Sequence, residues 1–308
     1  MNPLAPFFEH NGFVLLDGGL STQLERHGAN LAGELWTTRV LLETPDKLRA
    51  AHRDFLEAGA DVIASATYQA SIPGLERCGM SATTAAETMR GAIRLAREER
   101  DAFWRTQSGA GRLRPLVAAS LGPYGACLHD GSEYHGHYGL GNQALQDFHR
   151  PRVALLADAG ADLFAFETIP SLLEAEAILA VLEEFDGLDA WISFSCSDGG
   201  HVAHGEPFAD CAARVAESPR VLAVGVNCLA PELVPGLLEA GRGCGLPLAV
   251  YPNSGEHWDA GEQRWRGQAC SEMDVVGWHA AGARLIGGCC RTDADAIRHM
   301  RERLESAR

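Results

Sequence analysis

The chain has 308 residues, 46% of them hydrophobic and 22% charged, which is enough to bury a large core in two ordinary domains or in one α/β barrel. The formal net charge of −15, with no basic cluster against it, argues against nucleic acid and membrane partners, and no apolar run approaches the roughly 20 residues of a membrane-spanning helix. Nine cysteines, an odd number, and an N-terminus without the features of a secretory signal predict reduced thiols and a cytoplasmic location.

Short apolar runs alternate with segments of helical spacing along the chain. The eight apolar runs, each expected to form a strand, are residues 13–16, 61–67, 116–120, 162–166, 191–195, 221–226, 248–251 and 284–286. Helical spacing follows these runs at residues 45–58, 83–104, 143–159, 171–184, 207–217, 231–240, 271–281 and 293–305. Strands buried on both faces lose the polar alternation of an antiparallel sheet, so continuous apolar runs separated by helices predict a parallel sheet.

No linker divides the eight strand and helix units. The chain is therefore predicted to be an α/β protein, a single (β/α)8 TIM barrel domain over residues 1–308. An open, doubly wound sheet is the alternative, because strand number alone does not show closure. No Gly-x-Gly-x-x-Gly follows the first strand, so dinucleotide binding is not indicated. The loop 130–141, rich in Gly, His and Tyr, is longer than a plain connection and is expected to cover a site.

Polar side chains cluster where the predicted strands end. Barrel enzymes build their sites from the carboxyl ends of the strands and from the loops that follow them. The residues at these positions are Asp17, Thr67, Glu167, Ser195 with Cys196, Asn227 with Cys228, Asn253, and Cys289 with Cys290.

Three of these residues are cysteines that one metal ion could join. Adjacent cysteines such as Cys289 and Cys290 are poor disulfide partners for each other, so both thiols are expected to face a common third point. Cys228 ends the sixth strand, and strands six and eight flank strand seven. Three thiolates with an open fourth position are the arrangement of a catalytic zinc. The alternative is that these cysteines pack as small apolar residues.

Seven short motifs, in order along the chain, together resemble those of the homocysteine S-methyltransferases. They are Asp17-Gly18-Gly19, Thr67-Tyr68-Gln69-Ala70, Gly122-Pro123-Tyr124-Gly125, Phe166-Glu167-Thr168, Gly225-Val226-Asn227-Cys228, Tyr251-Pro252-Asn253-Ser254-Gly255 and Gly287-Gly288-Cys289-Cys290-Arg291. The resemblance runs from about Phe13 to Arg298. It is closest to the short members that use S-methylmethionine or S-adenosylmethionine, because the C-terminal arm of the betaine-dependent enzymes is missing.

The resemblance implies that Cys228, Cys289 and Cys290 bind Zn²⁺ and are catalytic through it. The implied reaction transfers a methyl group from a sulfonium donor to the thiol of L-homocysteine, giving methionine. Zinc coordination converts a thiol to a nucleophilic thiolate, and a sulfonium leaves as a neutral thioether, so no general acid is needed. The expected partners are these two small molecules, and the protein is expected to be a monomer or a weak oligomer.

Five further residues are expected to bind the substrates. By the resemblance, Glu167 and Asp17 hold the amino acid end of homocysteine, with help from the backbone of Gly18, and Thr67 belongs to the same pocket. The aromatic face of Trp36 is a candidate for the positive centre of the donor. The alternatives are a structural ion pair for Glu167, a turn role for Asp17 and ordinary packing for Trp36.

Three other functions stay open at this point. One is a betaine-dependent homocysteine methyltransferase, since betaine is also a cation with a carboxylate. Another is a barrel lyase or isomerase that binds phosphate at Gly287-Gly288, although no nearby lysine offers a Schiff base or a phosphate partner. The third is a non-catalytic zinc or thiol-binding protein, which would close its metal site with a fourth protein ligand.

Overall fold

The computed structural model describes residues 2–31, 36–107, 111–259, 264–268, 270 and 273–308, without the side chains at 36, 257–259, 264 and 265. Its strands are β1 (Val14–Leu15), β2 (Val62–Ala64), β3 (Leu116–Leu121), β4 (Leu163–Ile169), β5 (Ala190–Phe194), β6 (Val221–Asn227), β7 (Leu248–Tyr251), β8 (His257–Asp259), β9 (Arg264–Arg266) and β10 (Ala283–Ile286). Eight of them form one parallel sheet in the order β1-β10-β7-β6-β5-β4-β3-β2, and β8 and β9 form a separate antiparallel pair.

The helices follow the strands around the outside of the sheet. They are α1 (Ala5–Asn11), α2 (Leu20–Arg26), α3 (Trp36–Glu43), α4 (Pro45–Ala58), α5 (Ile72–Arg77), α6 (Ala82–Thr106), α7 (Asn142–Ala157), α8 (Leu172–Leu182), α9 (Phe208–Ala216), α10 (Val234–Gly241), α11 (Val275–Ala280) and α12 (Ala294–Ser306). Within the described ranges, no helix has both the length and the apolar character that crossing a bilayer requires.

The α/β barrel predicted from the sequence is confirmed, and each predicted strand lies in the parallel sheet. The second strand ends at Ala64, before the predicted residue Thr67, because the Thr67 N–H donates to the carbonyl oxygen of Ser65 and turns the chain. The hairpin of β8 and β9 and the short helices α1, α2, α3 and α5 were not predicted.

Alternation along the strands separates two apolar cores. One lies between the sheet and the helices and includes Phe164, Phe166 and Ile169 of β4. The other lies inside the barrel and includes Leu163 and Ala165 of the same strand. Side chains at successive strand positions point to opposite faces, so a residue two positions after Ala165 lies on the inward face at the rim.

The barrel closes where β1 meets β2. Leu16 and Val62 form a single parallel bridge, and the Asp61 N–H donates to the carbonyl oxygen of Leu15 at 2.7 Å. The Asp61 carboxylate accepts from the Leu15 N–H at 2.9 Å and from the Arg301 guanidinium of α12 at 2.5 Å. Burial raises the pKa of Asp61 and Arg301 opposes that rise, so the guanidinium helps this carboxylate to stay charged at the seam.

We expect Arg301→Met to lower the free energy of unfolding by about 3–5 kcal/mol, because it removes the cation that pairs directly with the buried Asp61 carboxylate. Denaturant unfolding followed by circular dichroism measures the change. The control is Arg298→Met on the same helix, whose exposed pair with Asp295 contributes less than about 1 kcal/mol. Equal losses in the two variants would show that the seam does not depend on the buried pair.

Candidate metal and substrate site

Three thiols meet at the carboxyl ends of two barrel strands. Cys228 follows β6 directly, Cys289 and Cys290 follow β10, and β7 lies between these strands. The three Sγ atoms lie within 4.8 Å of one another, and those of Cys228 and Cys290 are 3.7 Å apart. In the part of the chain that the structure describes, no other group of three or more His, Cys, Asp or Glu ligand atoms converges in this way.

The loop after β10 reaches the site because two glycines allow a close approach. A Cβ on Gly287 would lie 2.7 Å from the Cβ of Leu16, and one on Gly288 would lie 2.2 Å from the Cγ2 of Thr292. Neither position has room for a side chain. The loop is also held from β7, since the N–H of Cys289 donates to the Pro252 carbonyl oxygen at 2.8 Å.

The donor set suits a soft divalent metal. Hydrogen bonds from Cys289 and Cys290 lower the pKa of Cys228 well below the usual range of a thiol. Hydrogen bonding to Cys228 raises the pKa of Cys289 and of Cys290 well above it, so the three groups do not ionise together on their own. A divalent cation neutralises this repulsion, and soft metals prefer thiolate ligands. The three residues therefore fit a thiolate metal site.

Two carboxyl groups lie at the same rim, that of Asp17, which is buried, and that of Glu167, which is partly buried. Asp17 Oδ2 accepts from the Ala64 N–H at 2.7 Å, and the Ser120 hydroxyl donates to Glu167 Oε1. Burial raises the pKa of Glu167 to about 7 and raises the pKa of Asp17 well above its usual range, where the charge of Glu167 adds to the rise. Burial thus penalises both negative charges, and a cationic group placed between them would relieve that penalty.

Thr67 and Gly18 were also expected in this pocket. In the structure each of them contacts another loop or strand of the barrel rim. Thr67 is fully buried, and its hydroxyl donates to the carbonyl oxygen of Ser120 at 2.7 Å, directly behind Glu167. A Cβ on Gly18 would lie 2.4 Å from the carbonyl oxygen of Thr292, so this glycine lets the first and last loops pack together.

Trp36 begins α3, but its side chain lies outside the described residues. The prediction that its aromatic face contacts the donor therefore stays a prediction.

The loop 130–141 reaches over the thiols, as its length suggested. The Tyr134 hydroxyl lies 3.2 Å from Cys228 Sγ, and the Ser195 hydroxyl donates to the carbonyl oxygen of Glu133 at 2.8 Å. Glu133 Oε2 is buried and finds no hydrogen-bond partner among the described residues, and burial raises the pKa of this carboxyl group. An unpartnered carboxylate oxygen close to the thiols adds negative potential to this side of the site.

Other side chains at the site carried no distinct sequence signal. The Ser120 hydroxyl donates to Glu167, and the Ser193 hydroxyl donates to Asn227 Oδ1 at 2.9 Å. In the sequence, each of these serines is an ordinary member of an apolar run. An inward position near the end of a strand is the one signal that could have marked these residues.

The sequence model described as homocysteine S-methyltransferase matches residues 14–304. The chain belongs to this family. Homocysteine S-methyltransferase YbgG of Bacillus subtilis (strain 168) is 43% identical, with 97% of each chain covered. Homocysteine S-methyltransferase of Escherichia coli (strain K12) is 43% identical over 98% of each chain. The family resemblance predicted from the seven motifs is therefore confirmed.

Solved structures of the family share this architecture. The metallated form of the homocysteine methyltransferase MmuM from Escherichia coli superposes with a TM-score of 0.87 at 42% identity, covering 98% of this chain and 100% of that one. The oxidized form of the same protein gives a TM-score of 0.89. A relative with a different name, selenocysteine Se-methyltransferase of Brassica oleracea var. italica, is 42% identical over 97% of this chain and 91% of its own.

We expect Cys228→Ala, Cys289→Ala and Cys290→Ala each to lose the metal, because two thiolates bind far more weakly than three, whereas the unaltered protein holds about one ion per chain. Inductively coupled plasma mass spectrometry measures the metal, and circular dichroism checks the fold.

Cys211→Ala is the matched control for these three variants, since Cys211 is a fully buried thiol on α9 that is not part of the three-thiol group. It should keep its metal. A ligand variant that retained full metal content would remove that cysteine from the set.

Proposed function

We propose that this protein transfers a methyl group from a sulfonium donor to the thiol of L-homocysteine, giving methionine, with Zn²⁺ held by Cys228, Cys289 and Cys290. The proposed donor is S-methylmethionine, with S-adenosylmethionine as a slower one. The observation that carries the proposal is the approach of three Sγ atoms to within 4.8 Å of one another, at the rim where the carboxyl groups of Asp17 and Glu167 also lie. Membership of the family supports homocysteine as the acceptor.

The acceptor would be held at both ends. Zinc bound to three thiolates supplies a Lewis acid that lowers the pKa of a coordinated thiol, so that a thiolate is available near neutral pH. Glu167 and Asp17 would bind the α-ammonium group, because burial penalises both negative charges and no cationic side chain among the described residues pairs with either carboxylate. Ser120 holds Glu167 in place by a hydrogen bond. Fixing both ends aligns the acceptor sulfur for attack.

The donor would enter on the side covered by loop 130–141. In the transfer, the acceptor sulfur forms a bond to the methyl carbon, while the bond between that carbon and the donor sulfur breaks and leaves its electron pair on a neutral thioether. No proton has to be delivered to the leaving group. The unpartnered Oε2 of Glu133 supports a cationic donor, since a positive charge nearby would compensate its burial.

We further propose that residues 1–308 form one barrel domain, which the family match over residues 14–304 supports. A monomeric or weakly associating state and a cytoplasmic location stay predictions from the sequence.

Incubation of the zinc-loaded protein and homocysteine with each donor separately tests the proposed donor. We expect methionine to form fastest with S-methylmethionine, more slowly with S-adenosylmethionine and not at all with betaine, because the sulfonium donors release a neutral thioether. Mass spectrometry with a methyl-labelled donor measures the product, and Cys289→Ala is the inactive control. Turnover with betaine alone would reassign the donor, and a lack of turnover with all three donors would reassign the acceptor.

Glu167→Gln should raise the KM for homocysteine by roughly one to two decades, because a charged hydrogen bond to the substrate ammonium contributes about 1.5–3 kcal/mol. Its metal content should not change. Steady-state kinetics measures the effect, and Glu176→Gln, on the partly exposed surface of α8, is the control. An unchanged KM would make Glu167 a structural residue.

The same carboxyl group predicts a pH dependence. Burial raises the pKa of Glu167 to about 7, and only its ionised form pairs with an ammonium group. As the pH falls below about 7, the KM of the unaltered protein for homocysteine should therefore rise toward the KM of Glu167→Gln. KM profiles of the two proteins between about pH 6 and 8 measure this convergence, and parallel profiles would assign the dependence to another group.

A further inference from the structure

The fourth barrel strand changes its backbone course directly after Glu167. The pairing of β4 with β5 shifts register between Phe166 and Ile169, and Thr168 has a φ of 62°. A β-branched residue rarely adopts this left-handed conformation, so its surroundings must hold it there. Bulges of this kind re-aim side chains near active sites. The position of Glu167 therefore depends on what fixes Thr168.

Asn227 at the end of β6 is the residue that fixes Thr168. Its Oδ1 accepts from the Thr168 N–H at 2.7 Å and from the Ser193 hydroxyl at 2.9 Å, and its Nδ2 donates to Thr168 Oγ1 at 2.8 Å. The side chains of Asn227 and Thr168 are both buried, at 1% and 2% exposure. Water therefore cannot replace these bonds, and β5 lies between the two strands that they join.

The same residue is adjacent to the thiol site. Asn227 directly precedes Cys228, which also has a left-handed backbone, with a φ of 55°. The N–H of Cys228 donates to the carbonyl oxygen of Tyr251 at 3.2 Å, so the backbone here is fixed from β7 as well. One side chain thus connects the backbone that carries a thiol ligand to the backbone that carries the ammonium-binding carboxylate.

We propose that Asn227 is a positioning residue: it holds the Glu167–Thr168 bulge at a fixed place relative to Cys228, so that the site matches the spacing between the thiol and the ammonium group of homocysteine. This inference rests on the proposed function, because it assigns the ammonium group to Glu167. Asn227 itself contacts neither the substrate nor the metal in this role. Its effect is on how tightly the acceptor binds.

The kinetic test is Asn227→Ala. We expect the KM for homocysteine to rise about tenfold, because a displaced carboxylate loses much of a charged hydrogen bond. The KM for S-methylmethionine and the metal content should each stay within about twofold of the unaltered protein, because the network reaches only the acceptor end. A merely structural role would lower the amount of active enzyme, and with it the apparent kcat, and would leave both KM values unchanged.

A second substitution tests the backbone argument. Glycine adopts a positive φ without strain, so Thr168→Gly added to Asn227→Ala should return the homocysteine KM to within about threefold of the unaltered value. Thr168→Val alone has the shape of threonine but removes the acceptor for Asn227 Nδ2. It should raise the KM severalfold, and it decides the question if Asn227→Ala does not fold.

Hydrogen exchange provides a readout that does not depend on activity. The Thr168 amide donates to Asn227 Oδ1, so its exchange should be slow in the unaltered protein and faster in Asn227→Ala. An active unaltered protein, with unchanged KM and unchanged Thr168 exchange in Asn227→Ala, would overturn this inference and leave the proposed function in place.

Two other results are also decisive. Loss of metal in Asn227→Ala would overturn the inference by making the residue a support for Cys228. An unaltered protein without homocysteine turnover would contradict the proposed function, and the proposal for Asn227 would then fail together with the assignment of Glu167 to the ammonium group.

Discussion

The site depends on a constraint of the closed parallel sheet, which brings the carboxyl ends of all its strands to one rim. Cys228 and the pair Cys289-Cys290 are about sixty residues apart in sequence, yet their strands are separated by β7 alone. The seam between β1 and β2 maintains that geometry, because the buried Asp61 carboxylate joins the backbone of Leu15 to the last helix. The first and last loops pack together at Gly18 and Thr292 because β1 pairs directly with β10.

The site concentrates groups whose charged forms the protein by itself opposes. Burial raises the pKa of Asp17 and of Glu167, and the three cysteine thiols do not ionise together without a cation. These buried negative charges lower the stability of the free protein until cations bind. In the proposed function, the cations are the metal ion and the ammonium group of the substrate. The same unfavourable charges that reduce stability in the free protein would then provide the affinity for metal and substrate.

Support from neighbouring strands keeps these groups in place. Ser120 donates to Glu167 from β3, and Asn227 fixes the left-handed Thr168 from β6. Neither contact involves reacting atoms, but each limits the positions that the carboxylate can occupy. A site assembled from several strands of a rigid sheet therefore holds an acceptor at both ends more firmly than flexible loops would.

The linear sequence was enough to predict the alternation of strands and helices, a parallel sheet and the family, because buried apolar runs and short motifs are local features of the chain. It also marked Cys228, Cys289 and Cys290 as candidates, since each follows the end of a predicted strand. The convergence of their Sγ atoms and the contacts of Thr67 with Ser120 and of Asn227 with Thr168 appear only in the folded chain. These contacts join residues on different strands, and strand register, barrel closure and a positive φ arise from packing that no local pattern encodes.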